Sequence, residues 1–439
     1  MALTGQGPLG ILTKSASPGV DVHAYGQSGE YQAARFTQPV STDQEDRAKE
    51  KRVLRYKLLA SARKILPDER VGKVCLRRFK PGAMQAEIWI GCKHPRAHYK
   101  GLMVCGSVWM CPVCSAKISR ERADELTEGV KRSGLTPIMA TFTLQHHMGD
   151  RLEDLLCNLG DGMRSVFSGK QAQVFKEKYK IVGSVSAWEY TYGENGHHPH
   201  KHVLLLSELS AQEAKAAENE ILEFLSARYA RRLHAHGYLI NDHTVNVKSG
   251  GAALAAYVAK WTLELEVTQA SQKEGRNGHY TAFQLLALID AKQEKYIPVF
   301  REYAQAFKGK RQLVFSPGLR ERLAMGKEKT DEEIAEEGDQ PAWMFGSLDP
   351  KQFYKVRDQE SAGSLGELLE RYAQAGKTGE VDNLYDWLKS EFGIVLTDQQ
   401  KVDMEYPWLN PVNAKVNGFV WVNWPAWKSW QEIQSIRGP

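Results

Sequence analysis

A run of histidines at 197–202 constrains this chain more than any other feature. The residues are His197-His198-Pro199-His200-Lys201-His202, and the apolar segment 203–206 follows directly. That apolar segment predicts a buried strand. Because alternate residues of a strand face the same way, His198, His200 and His202 would share one face. Three imidazoles on one face suit a divalent metal better than they suit a core.

The histidine run also ends a predicted hairpin. Residues 184–192 form a strand-like run, and Gly193-Glu194-Asn195-Gly196 is a turn signal. Pairing across this turn places Glu189 roughly opposite His200 and on the same face. Two histidines and the Glu189 carboxylate would then converge, which predicts a site for a divalent ion with Glu189 as one ligand. The alternative is a set of satisfied structural histidines, the usual role of an isolated histidine.

Four of the six cysteines lie within 23 residues: Cys92, Cys105, Cys111 and Cys114. The Cys111-Pro112-Val113-Cys114 spacing is typical of a zinc knuckle, in which two sulfurs bind one tetrahedral ion. These four residues are the predicted ligands of a structural zinc, since four protein ligands leave no open position. His94 or His98 could replace Cys92. Free thiols could instead be small buried hydrophobes.

The remaining composition limits compartment and partners. Six cysteines in 439 residues do not make a disulfide framework, so Cys75 and Cys157 are expected in the core. No long apolar run or secretory signal is visible, which predicts a cytoplasmic protein without a membrane partner. The net charge is +5, and residues 46–80 hold thirteen Lys/Arg against four Asp/Glu. That block fits contact with a phosphate backbone, or equally a solvated helix face.

The pattern of segments predicts an α+β chain. Residues 133–264 give strand, helix, strand, strand, helix, strand, helix, which is the split βαβ pattern of an antiparallel sheet with packed helices. The predicted divisions are a disordered arm 1–45, a basic helix with zinc knuckle 46–132, a sheet domain 133–325, a linker 326–350 and a helical, Trp-rich region 351–439. Its last tryptophans could form a packed tail, a base-stacking surface or a dimer face.

The last helix of the sheet domain carries a candidate nucleophile. Small residues fill much of 252–261, and Tyr257 and Lys260 lie one turn apart on one face. A tyrosine can attack phosphorus when a metal polarises the phosphate and a lysine offsets charge. Taken alone, Tyr257 would more often be a buried aromatic residue.

Three motifs together indicate a role for Tyr257. Residues 142–146, 198–202 and 257–260 resemble, in order and spacing, the motifs of HUH endonucleases, and more closely those of plasmid rolling-circle replication initiators, the Rep proteins. The resemblance covers about residues 70–325 and includes the cysteine knuckle. It implies an HUH fold, with Tyr257 as the nucleophile and His200 and His202 binding Mg²⁺ or Mn²⁺. Lys260 would offset charge.

The resemblance also implies an activity. Such a protein nicks one strand at the plasmid origin, keeps the 5′ end as a phosphotyrosine and leaves a 3′-OH that primes a host polymerase. Origin DNA, single- and double-stranded, and a host helicase are the implied partners, and a homodimer is left open. The alternatives are a relaxase or single-strand transposase of the same superfamily, or a non-catalytic zinc-ribbon DNA-binding protein.

One departure from the family concerns the second cleavage. Relatives often carry a second Tyr or a Glu one turn from the nucleophile, but Ala253 and Trp261 occupy those positions here. Glu264 or Glu266 could activate a water instead, or a second subunit could supply its own tyrosine.

Overall fold

Antiparallel strands and packed helices alternate along the part of the chain that the computed structural model describes: residues 42–92, 96–241, 243–250, 254, 279–337, 342–407, 410 and 412–413. In chain order the strands are β1 (Ala86–Gly91), β2 (Ala97–Lys100), β3 (Thr136–Phe142), β4 (Ile181–Gly193), β5 (Gly196–Ser207), β6 (Val245–Ser249), β7 (Tyr280–Thr281), β8 (Leu313–Phe315) and β9 (Ala342–Leu348).

The helices are α1 (Thr42–Ile65), α2 (Arg70–Lys73), α3 (Pro112–Ser133), α4 (Leu152–Val166), α5 (Gly169–Lys178), α6 (Ala211–Ala216), α7 (Glu218–Ala235), α8 (Ala282–Asp290), α9 (Ile297–Phe307), α10 (Leu319–Arg322), α11 (Asp331–Glu337), α12 (Pro350–Arg357), α13 (Ser364–Thr378), α14 (Asp382–Phe392) and α15 (Asp398–Glu405). In the described part of the chain, none of them is both long and apolar enough to cross a bilayer.

The main sheet is antiparallel and has the strand order β6-β3-β5-β4-β7, with β8 paired to β4. Its longest pairing is the β4–β5 hairpin, which closes at Gly193 opposite Gly196. Gly196 has a φ of +86°, a conformation that favours glycine at a tight turn. The predicted α+β class and antiparallel sheet are confirmed, whereas the HUH fold stays a prediction.

Alternation along β5 separates the two faces of this sheet. Val203 and Leu205 pack in the larger core, whereas Leu204 and Leu206 pack in a second cluster. His198, His200 and His202 share the parity of Leu204 and therefore lie on the face of the second cluster. We call this the histidine face.

A second, three-stranded sheet has the order β2-β1-β9. Every residue of β9 is buried, and the strand pairs with β1 from Ala86↔Leu348 to Gly91↔Ala342. The expected linker over 326–350 is therefore wrong in its second half. The apolar run 342–348 supplies a core strand to a segment more than 250 residues earlier, a pairing that local sequence cannot reveal.

Several predicted helices are present with altered boundaries. The sequence predicts a helix over 152–178 with breaks near Gly160 and Gly169. The structure has the break at Ser168–Gly169, where Gly169 has a φ of +78°, but α4 continues through Gly160. Ser210, which the sequence predicts as the N-cap of the helix that follows, forms a capping box with Glu213. The amphipathic helices predicted over 365–375 and 381–392 are α13 and α14. The predicted arm 1–45 lies largely outside the described residues, and the terminal tryptophans lie entirely outside them.

Candidate metal centres

Glu189, His200 and His202 converge on the histidine face. Glu189 pairs directly with His200 across the hairpin, as predicted. The nearer Glu189 carboxylate oxygen, Oε2, lies 2.8 Å from His202 Nε2 and 3.7 Å from His200 Nδ1. The side chains of Glu189 and His200 keep 27% and 20% of their surface exposed, so both are partly accessible to solvent.

The neighbouring strand β3 contributes a hydroxyl to this group. Thr141 pairs with His202 in the sheet, and Thr141 Oγ1 lies 3.0 Å from His202 Nδ1. Each ring nitrogen of His202 therefore has an oxygen within hydrogen-bond distance. This contact was missed from the sequence, because it depends on the register between β3 and β5.

Burial sets the charge of these groups. Desolvation lowers the pKa of His200 to about 4 and that of His202 well below its usual value. Burial raises the pKa of Glu189, and His200 partly opposes that rise. At neutral pH both imidazoles are uncharged, which is the form that binds a metal.

The donor set fits a divalent ion. Two neutral imidazoles and a carboxylate are ligands that Mn²⁺ and Mg²⁺ accept, with imidazole favouring Mn²⁺. His200 Nδ1 is buried and has no hydrogen-bond partner among the described residues, so it offers an unused lone pair or proton. The His200 and His202 ring centroids lie 6.1 Å apart.

More imidazoles surround this group. His146 stacks on His198 with ring centroids 4.4 Å apart, and His198 lies 4.0 Å from His200 and 5.5 Å from His279. Burial, aided by neighbouring imidazoles, lowers the pKa of His198 to about 2. The stacked rings form a neutral, aromatic rim beside the candidate ligands.

His197 faces the opposite side of β5 and takes a structural role. Tyr190 donates its hydroxyl proton to His197 Nδ1 at 2.8 Å, and His197 Nε2 lies 3.1 Å from Glu302. Glu302 also accepts the backbone N–H of Leu152 at the start of α4. This chain of contacts ties the hairpin to two helices and leaves His197 unavailable to the histidine face.

A separate cluster of four buried cysteines lies at the start of α3. Its members are Cys75, Cys105, Cys111 and Cys114. Their sulfurs all lie within 4.8 Å of one another, with 3.7 Å separating Cys75 from Cys111 and from Cys114, and Cys105 from Cys114. Within the described ranges this is the sole group of three or more potential ligands that is so compact; the atoms of Glu189, His200 and His202 spread more widely.

The cysteine cluster corrects one predicted ligand. Cys75 is buried in the core, as expected, but its sulfur also occupies the position predicted for Cys92. Cys92 is half-buried at the end of β1, and burial raises the pKa of its thiol. His98 is buried in β2, outside the cluster. Cys157, also expected in the core, is exposed. Spacing along the chain suggested Cys92, but the fold brings the more distant Cys75 to the knuckle.

A buried arginine accompanies the cysteines. The Arg63 side chain donates to the backbone carbonyl of Cys75 and pairs with Glu360. Hydrogen bonds from the other three thiols, with a smaller contribution from Arg63, lower the pKa of Cys75, whereas burial raises the pKa of Cys111. A positive charge here offsets the negative charge that four thiolates bring to a zinc site.

The predicted nucleophile Tyr257 and its neighbour Lys260 lie outside the described residues, as do Glu264 and Glu266. Leu254, three residues before Tyr257, is helical and packs against the second cluster. Leu254 therefore lies on the histidine face.

Comparisons with known proteins add independent information. The chain is 27% identical over 296 residues to "Protein rep" of Streptomyces lividans, which covers 51% of this chain and 64% of the relative. It is 28% identical over 134 residues to a "Neomycin resistance protein" of Streptomyces cyanogenus, 24% of this chain and 31% of that one. A "Protein rep" of Bacillus amyloliquefaciens is 32% identical over 104 residues, 22% of this chain and 29% of the relative.

These matches are distant and partial. The chain spans less than two thirds of the length of each of these relatives. No protein-family model matches the chain. No solved structure matches it. The predicted resemblance to Rep proteins is confirmed: the chain is a distant homologue of proteins named Protein rep.

Proposed function

We propose that this chain initiates plasmid replication by nicking one DNA strand at the origin, with Tyr257 as the nucleophile. The relatives named Protein rep support the initiator role. The convergence of Glu189, His200 and His202 on a solvent-accessible part of one sheet face is the observation that carries the nicking chemistry. Neutral imidazoles beside a carboxylate make a site suited to an ion that acts on phosphate.

The reaction follows from the chemistry of these groups. Glu189, His200 and His202 would hold Mg²⁺ or Mn²⁺, which when bound polarises the scissile phosphate. The Tyr257 oxygen forms a bond to phosphorus and loses its proton, and the bond from phosphorus to the 3′ oxygen breaks. The leaving oxygen takes up a proton and becomes the primer 3′-OH. Lys260 offsets the negative charge that develops.

The described residues that come just before Tyr257 in the sequence are Gly250 and Leu254. The Gly250 backbone N–H donates to the Pro137 carbonyl at the start of β3. Leu254 packs against the second cluster, on the histidine face. Because Tyr257 follows Leu254 by only three residues, we propose that it acts on a phosphate bound at this face.

We also propose that Cys75, Cys105, Cys111 and Cys114 bind a structural zinc. A regular tetrahedron with edges near the observed sulfur separations places its centre about 2.3 Å from each corner, which is the Zn–S distance of protein sites. Origin DNA, a host helicase and a host polymerase are the proposed partners. Glu264 or Glu266 would activate the water for a terminating cleavage.

The test uses single-stranded oligonucleotides tiled across the plasmid replicon, Mn²⁺ and a denaturing gel. The parent should yield a covalent protein–DNA adduct and a fragment with an extendable 3′ end. Tyr257→Phe should yield neither, and Glu189→Ala should lower nicking by at least about 100-fold. Tyr296→Phe is the matched control, because Tyr296 packs against Tyr192 and Tyr280 away from the histidine face. Binding without any adduct would identify a non-catalytic DNA-binding protein and refute the proposal.

A further inference from the structure

Thr141 contacts the candidate metal ligand His202 at the ring nitrogen that does not face Glu189. Its hydroxyl lies 3.0 Å from His202 Nδ1, while His202 Nε2 lies 2.8 Å from the Glu189 carboxylate. His202 keeps only 2% of its surface exposed, so its hydrogen bonds are not readily replaced by water. Thr141 and His202 are direct partners in the β3–β5 pairing, which fixes the contact through the backbone.

These two contacts fit one tautomer of the ring. A neutral imidazole carries one N–H and one lone pair. In that tautomer Nε2–H donates a hydrogen bond to the Glu189 carboxylate, and Nδ1 accepts a hydrogen bond from the Thr141 hydroxyl. A metal ion needs the lone pair at Nε2, so the metal-bound ring must carry its proton on Nδ1. Nε2 gives a proton to water and Nδ1 takes one up, and the ring stays neutral.

Only a group that can both donate and accept suits both tautomers. A hydroxyl donates to Nδ1 in the first tautomer and, after rotating its proton, accepts from Nδ1–H in the second. A carbonyl could serve only the second tautomer. Serine would serve both, and valine, which has the shape of threonine, would serve neither.

We propose that Thr141 is a positioning residue that holds His202 in either tautomer and so prepares Nε2 to bind a divalent cation. This role rests on the proposed function, because it concerns the same candidate metal site. Thr141 is not itself a proposed metal ligand and would act through His202. Its removal should act on cation affinity, with the catalytic groups left in place.

The experiment titrates the full-length, zinc-loaded chain with Mn²⁺ and follows free Mn²⁺ by electron paramagnetic resonance. Thr141→Val should weaken Mn²⁺ binding by about 10- to 100-fold, the usual effect of losing a group that orients a metal ligand. Thr141→Ser should stay within about threefold of the parent. Nicking by Thr141→Val should recover at saturating Mn²⁺, because only affinity is lost. Equal Mn²⁺ affinity in the parent and Thr141→Val would overturn the proposal.

A second measurement reports the tautomer of the His202 ring directly. Nitrogen-15 NMR of the His202 ring, assigned with His202→Gln, should show the Nε2–H tautomer without metal and the Nδ1–H tautomer with Mg²⁺. Unchanged His202 ring-nitrogen shifts in Thr141→Val would also overturn the proposal. Glu189→Ala separates the two ideas: if it leaves Mn²⁺ binding unchanged, the ion does not bind here and the proposed function itself fails. If Glu189→Ala abolishes binding while Thr141→Val does not affect it, only the role of Thr141 fails.

Discussion

Replacing Cys75 by serine tests which cysteine is the fourth zinc ligand, because the sequence and the structure indicate different residues. The spacing along the chain favours Cys92, whereas the structure places the Cys75 sulfur 3.7 Å from those of Cys111 and Cys114. Zinc in sites of this kind contributes about 10–16 kcal/mol to folding. Shared over four ligands, each thiolate accounts for about 2.5–4 kcal/mol.

The substitutions Cys75→Ser and Cys92→Ser are therefore expected to differ in their effect on zinc content and stability. Cys75→Ser should lose most of its zinc and lower the free energy of unfolding by at least about 3 kcal/mol, because a serine hydroxyl is a poor zinc ligand. Cys92→Ser removes a half-buried thiol outside the cluster and should change the free energy of unfolding by less than about 1 kcal/mol.

The assay is the zinc content of the purified protein by mass spectrometry, paired with urea unfolding of each variant. The parent and Cys92→Ser should carry one zinc per chain at this cluster. A Cys75→Ser variant that keeps a full zinc, or a Cys92→Ser variant that loses it, would refute the assignment of Cys75.

Two further predictions concern packing and pH. Gly162→Ala should destabilise the protein by about 1–3 kcal/mol, because an added Cβ would lie 2.5 Å from the fully buried ring of Tyr229. Gly160→Ala, on the same helix with its nearest neighbour 3.8 Å away, should be neutral or stabilising by up to about 1 kcal/mol in the same urea titration. Burial, with smaller contributions from nearby lysines, lowers the pKa of His98 to about 3, below the usual value of 6.5. The unfolded chain therefore binds a proton that the folded chain does not, and the free energy of unfolding falls by up to about 1.4 kcal/mol per pH unit as the pH drops from about 6 towards 3. His98→Gln should flatten this dependence between pH 7 and 5; unchanged slopes would contradict the burial argument.

The sequence predicted the histidine hairpin because its determinants are local. A Gly-containing turn fixes the register, and alternation then places Glu189 opposite His200. The capping box at Ser210 is local in the same way, since its two members lie three residues apart.

The features that the sequence missed depend on contacts between distant segments. Cys75 reaches the knuckle because the chain between α1 and α3 folds back, and no spacing rule covers a separation of 36 residues. Strand β9 joins β1 from the far end of the chain. Thr141 meets His202 only through the β3–β5 register, which no turn between them specifies.

The central claim is that Tyr257 attacks a DNA phosphate bound at the histidine face. Protease digestion of the covalent adduct, followed by tandem mass spectrometry, identifies the modified residue directly. The account predicts a nucleotide attached through its 5′ phosphate to Tyr257, formed only with a divalent ion and lost when Glu189 is replaced by alanine. An adduct on any other residue, or one that forms equally well without Glu189, would contradict it.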